Sequence, residues 1–141
     1  MVLEKNKPIY ALSGYAEWFW LMAKNWKDVE NRDWSLFRYF KPMDLPVRVY
    51  LHASKTKTPD DELNFICDQL SPSEFSEFRR VDWPKYRGHI IGEITFYNDV
   101  TYSNSKWFFG EHGFLAHSGE LYEHPIPCKG MLGFFKPQFT S

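Results

Sequence analysis

The chain has 141 residues, enough for one ordinary domain (residues 1–141) and too few for a second core of useful size. Its hydrophobic fraction of 43% and aromatic fraction of 19% exclude a disordered chain. With 17 basic and 18 acidic residues the net charge is −1, which excludes the basic excess of proteins that wrap long nucleic acids and leaves only a local contact with a base, a nucleotide or a short single strand.

The first segment, Ile9 to Leu12, reads as a short strand ending at Ser13-Gly14. Trp18, Leu21, Met22, Asn25 and Trp26 follow helical spacing, with Asn25 as a left-handed stop. The chain then runs extended from Asp28 to Trp34. Val47, Val49, Leu51 and Ala53 alternate with Arg48, Tyr50, His52 and Ser54, the pattern of a half-buried strand. Two helix starts follow, at Thr58-Pro59-Asp60-Asp61 and Ser71-Pro72-Ser73-Glu74, each with a hydroxyl cap, a proline and an early acid. Strands are predicted from His89 to Tyr102, from Gly113 to Tyr122 with an interruption at Ser118-Gly119, and from Lys129 to Lys136. The order β-α-β-β-α-α-β-β-β points to an α+β fold, a small mixed β-barrel of five to six strands with flanking helices.

Phosphate loops, dinucleotide fingerprints and paired Cys-x-x-Cys motifs are absent, and the five histidines have no ligand spacing, so neither cofactor nor metal is expected. Cys67 and Cys128 read as two free thiols, with one disulfide as the alternative. No signal or membrane-spanning run is visible, which makes the cytoplasm the expected compartment.

Three clusters carry chemistry. In the first, Glu30 and Arg32 point to one side of an extended chain, and Lys27 sits at the preceding turn with a stem long enough to join them. Converging in a cleft, these groups would shift one another's pKa values and serve as hydrogen-bonding groups or as acid and base. The charge pattern by itself favours a solvated ion pair instead. In the second, His52, Ser54 and Lys55 end a strand, where a barrel mouth would present them; a satisfied surface histidine is the simpler reading. In the third, Lys106 to Gly113 sets Trp107 and Phe109 between a lysine and glycines, either to stack a base or to plug the core under a long loop.

Taken together, the blocks resemble the ASCH domain of the PUA-like superfamily. The resemblance runs through Ala11-Leu12-Ser13, Trp18 to Leu21, Lys27 to Arg32, Leu51 to Lys55, Arg87 to Gly92, Trp107 to Gly110 and Ile126 to Gly130, in the family's order over nearly the whole chain. It implies a small β-barrel with a cleft lined by the Lys-x-x-Glu-x-Arg stretch that receives RNA or a nucleobase. Lys27, Glu30 and Arg32 thereby become pocket residues, with Ser54 and Lys55 behind them, and Trp18 or Trp107 would stack a base whose edge Glu30 and Arg32 read.

Two positions depart from the family pattern. Ala16-Glu17 stands where members often carry Gln-Pro. Glu30 stands where a branch that hydrolyses acetylated cytidine has a threonine nucleophile three residues after its lysine. The first expectation is therefore a binding module for RNA, single-stranded nucleic acid or a nucleoside. The second is an enzyme on the same cleft, a ribonuclease or a modified-nucleoside hydrolase, with Lys27 and Glu30 as the catalytic pair. A third is a protein-interaction domain using Trp83 to Arg87.

Overall fold

The computed structural model describes residues 7–139. Six strands form one mixed sheet in the order β2-β5-β4-β3-β1-β6. They are β1 (Tyr10–Gly14), β2 (Val29–Arg32), β3 (Val47–Ala53), β4 (His89–Val100), β5 (His112–Pro127) and β6 (Phe134–Phe135). β1 and β3 run parallel, and every other neighbouring pair is antiparallel. The sheet curls into a half-barrel and does not close, so β2 and β6 remain edges facing a seam. Among the described residues four α-helices accompany it, α1 (Ala16–Ala23), α2 (Asp60–Gln69), α3 (Pro72–Phe78) and α4 (Trp83–Tyr86), with two short 3-10 turns at Leu36–Arg38 and Pro42–Asp44. Among the described residues no helix is long and apolar enough to cross a membrane.

All eight residues of α1 are buried, so the helix is enclosed on every side rather than amphipathic. It packs on β3, β4 and β5. Its Trp20 meets Trp26, Trp83 and Phe78 at 5.1–5.9 Å between ring centres, which clamps α3 and α4 over the helix. Fully buried side chains such as Phe19, Leu21 and Met22 contribute about 1.5–3 kcal/mol each. Trp83 is thus engaged in packing, and Arg87 reaches the buried Glu17 at 3.5 Å. The Trp83-to-Arg87 stretch is a short helix and its end, with Pro84 and Lys85 exposed and Trp83, Tyr86 and Arg87 half-buried.

The seam is filled by aromatic rings. Phe134 of β6 lies 6.2 Å from Phe114 of β5, 5.9 Å from Trp34 just beyond β2, and 4.9 Å from Phe40. Strand alternation sends the next residue, Phe135, to the other face, where it joins a smaller cluster with Ala11, Ile90 and Cys128.

Local signals are realised where their partners are local. Asn25 adopts φ 63, and Ser71 and Glu74 form a reciprocal capping box. Thr58, by contrast, caps nothing. Pro59 occupies the cap position of α2, and the buried Thr58 hydroxyl donates to Glu17 Oε1 at 2.5 Å. The buried Glu17 carboxylate needs a partner inside, and Thr58 supplies one. The final strand is also shorter than predicted. Only Phe134 and Phe135 pair, because Gly133 at φ +65 breaks the extended run and Lys129 to Gly133 loop over the sheet. Both cysteines are free.

The interruption at Ser118-Gly119 is a bulge inside the longer β5. It receives the end of α1: Asn25 exchanges two hydrogen bonds with the Gly119 backbone, at 2.9 and 2.6 Å. On the paired strand, Gly92 leaves no room for a side chain, since a Cβ there would sit 2.1 Å from the Glu120 carbonyl oxygen. Gly92→Ala must push the two strands apart. A loss of about 1–3 kcal/mol is expected in denaturant unfolding. Gly110→Ala, whose added methyl meets nothing within 4 Å, should lose only the backbone cost of placing an L residue at φ +87, about 1–2 kcal/mol.

Candidate functional site

The seam cleft is built by the turn after α1. With Asn25 left-handed, the Trp26 and Lys27 amides both donate to the Leu21 carbonyl, at 2.9 and 3.2 Å, which folds Lys27 back under the helix. Its ammonium is almost wholly buried. It donates to the Val29 carbonyl and to Glu30 Oε1 (3.4 Å), and lies 5.0 Å from the centre of the Trp18 ring. Burial pulls its pKa below the ordinary lysine range, against the opposing pull of Glu30.

Glu30 is buried between two cations. Its Oε2 accepts from Arg32 Nε at 2.9 Å, and the Arg32 guanidinium also donates to the Ser13 carbonyl at 2.7 Å. Arg32 thereby spans the open seam from β2 to β1. The same-side placement of Glu30 and Arg32, and the return of Lys27 to them, follow the expected geometry, but the group is not a solvated surface pair.

The alternate residue, Asn31, faces the other way and fastens the 106–110 loop. Its amide donates to the Trp107 carbonyl (2.9 Å) and accepts from the Phe109 amide (3.1 Å). Phe109 is thereby held at the cleft, 46% exposed. Trp18 borders the same cleft but is only 7% exposed, with its indole N–H already donating to Glu62 Oε1 at 2.7 Å. Trp107 does not line it. At 2% exposure it stands edge-on behind Trp18 and donates to the Trp26 carbonyl, so it is core beneath the loop. Of the three predicted stacking residues, Phe109 offers the free surface.

The cleft has a volume of about 440 Å³ and includes Ser13, Tyr15, Asp33 and Glu62, which carried no local signal in the sequence. Glu62 reaches it only because α2 packs beside Trp18. Ser54 lines this cleft, whereas His52 and Lys55 line a neighbouring one.

His52 is buried rather than displayed at a surface. The sheet face it shares with Tyr50 is covered by Phe135 and Cys128, which no pattern local to β3 could reveal. Its Nε2 lies 2.6 Å from the Cys128 carbonyl, which can only accept, so Nε2 carries the proton. Nδ1 therefore accepts from the Ser13 hydroxyl at 2.5 Å. Burial lowers the His52 pKa, opposed by the Cys128 hydrogen bond and assisted by nearby His89. The imidazole is neutral at pH 7.

No protein-family model matches the chain, and no curated protein matches it at a significant level.

The neutral His52 makes the fold acid-sensitive. Above its ordinary value of 6.5 neither state binds the proton; below it the unfolded chain does while the folded one does not. Stability should therefore fall as the pH drops from 6.5 toward the folded-state value, by at most about 1.4 kcal/mol per pH unit from this group. Denaturant titrations across that range should show the slope in wild type and a shallower one in His52→Gln.

Proposed function

We propose that this protein is a PUA-like module of the ASCH type that binds RNA or a nucleobase in the seam cleft. The observation that carries the reading is Glu30, buried between Lys27 and Arg32 at a cleft beside the exposed ring of Phe109. A carboxylate accepts up to about four hydrogen bonds, and its three contacts with the two cations leave capacity for a base N–H. Arg32 retains donors for a base carbonyl, and Phe109 supplies a stacking face. A volume of about 440 Å³ lies within the ordinary range for small-ligand clefts. The ordered sequence blocks of the ASCH resemblance support the same assignment.

Two observations favour a second reading, a hydrolase on the same cleft. Lys27 is held in a desolvated position beside a carboxylate, where it would stabilise developing negative charge while Glu30 acts as general base. Ser13, which also lines the cleft, has its hydroxyl on a neutral imidazole, the pairing that activates a hydroxyl nucleophile.

Titration with nucleosides and short single strands, followed by tryptophan fluorescence, tests the binding reading. Saturable binding is expected. Arg32→Ala should weaken it about tenfold or more, equivalent to about 1.4 kcal/mol, and Phe109→Ala should cost about 1–3 kcal/mol. Glu30→Ala would open a cavity and leave both cations without an acceptor, whereas Glu30→Gln removes the charge but keeps the volume and one accepting oxygen, so Glu30→Gln is the variant of choice. Unchanged affinity in folded Glu30→Gln and Arg32→Ala would sink the binding site. For the enzyme reading, turnover of RNA or acetylcytidine should be abolished in Lys27→Met; turnover that survives this change removes Lys27 from the catalytic role.

A further inference from the structure

A second cleft, of about 720 Å³, adjoins the first and shares Ser13 and Ser54 with it. The two differ in charge. Glu30, Asp33 and Glu62 border the seam cleft against Lys27 and Arg32, so its formal balance is negative. Among the described residues, the second cleft is lined by Lys55 and Lys129 with no carboxylate, and its His52 is neutral. A neutral base suits the first environment. An anion suits the second, where ammonium groups at the rim stabilise it and no carboxylate repels it.

Lys55 is also guided toward this cleft. Its stem lies over Gly88 at φ +81, where a Cβ would come within 3.2 Å of Lys55 Cε, so the glycine makes room for the lysine. The preceding residue, Ser54, donates its amide to the Gly14 carbonyl at 2.8 Å, tying the lysine's backbone to the wall between the clefts. On the far side Met131 and Leu132 are 61% and 98% exposed, apolar surface that a ribose or a second base would cover.

We propose that the ligand of the seam cleft is phosphorylated, with its phosphate in the second cleft beside Lys55 and Lys129. The inference rests on the nucleobase reading of the seam cleft. A nucleotide and a single strand share this chemistry: the group is a terminal phosphate in one and the adjoining phosphodiester in the other.

Calorimetric titration of the full chain tests it, using adenosine, guanosine, cytidine and uridine, their 5′- and 3′-monophosphates, and a mixed-sequence pentanucleotide. At least one monophosphate should bind about tenfold or more tighter than its nucleoside. That gain should shrink to less than about twofold in the Lys55→Gln/Lys129→Gln double variant, with nucleoside affinity unchanged. Both lysines are exposed, so the variant should keep the wild-type circular dichroism spectrum. A strand that outbinds every monophosphate identifies single-stranded nucleic acid as the source, and equal affinity identifies a mononucleotide. Nucleoside binding with no gain from phosphate, or a gain that persists in the double variant, overturns this proposal and leaves the base site standing. Absence of binding by nucleosides, nucleotides and strand alike overturns both.

Discussion

Glu30 is held between two cations, and one of them, Arg32, reaches across an unclosed sheet to the Ser13 carbonyl. The half-barrel lacks a backbone ladder between its β2 and β6 edges. Aromatic rings fill most of that seam, and at the end where they stop, the guanidinium carries the connection. Taking Lys27 and Glu30 out of water costs several kcal/mol each before the attraction within the group repays it, and apolar side chains of similar volume often hold such a place equally well. The polar solution is consistent with a place where the protein needs charge.

The rest of the site follows from how that seam is supplied. α1 is apolar enough to be buried on all sides, so its C-terminal turn must occur inside the molecule. Asn25 makes the turn and anchors it on the Gly119 bulge, and the turn delivers Lys27 under the helix instead of into solvent. Asn31, pointing away from Glu30 and Arg32 by strand alternation, fastens the loop that carries Phe109. One short strand thus sets the cleft's charges with one face and its aromatic wall with the other.

Ser13 stands where three functions meet. Its carbonyl receives Arg32, its hydroxyl donates to His52, and its side chain borders both clefts. His52 in turn donates to the Cys128 carbonyl, so the chain of hydrogen bonds runs from the seam through β1 and β3 to the segment after β5. This arrangement orders the wall between the clefts whichever chemistry the site performs. It also fixes the tautomer of the imidazole, a requirement shared by a structural clasp and a general base.

What the sequence determined by itself was short-range. The strand at β3, the left-handed Asn25, the capping box at Ser71 and the same-side placement of Glu30 and Arg32 depend on backbone geometry within a few residues and appear as read, although the alternation of burial in β3 holds only from Arg48 to Leu51. The Ser118-Gly119 interruption was visible too, though not its purpose as a seat for α1. The tertiary structure alone decided what touched what across long separations. Thr58 looked like a helix cap until Glu17, 41 residues away, claimed its hydroxyl. His52 looked solvent-facing until the chain's end covered it, and Trp107 could equally have been surface or core until Trp18 packed over it. Lys27 to Arg32 reads in sequence as a charged stretch. Only the open seam, a product of sheet curl and aromatic packing, makes it the floor of a cleft, because burial and the reach of Arg32 to Ser13 are properties of the assembled chain.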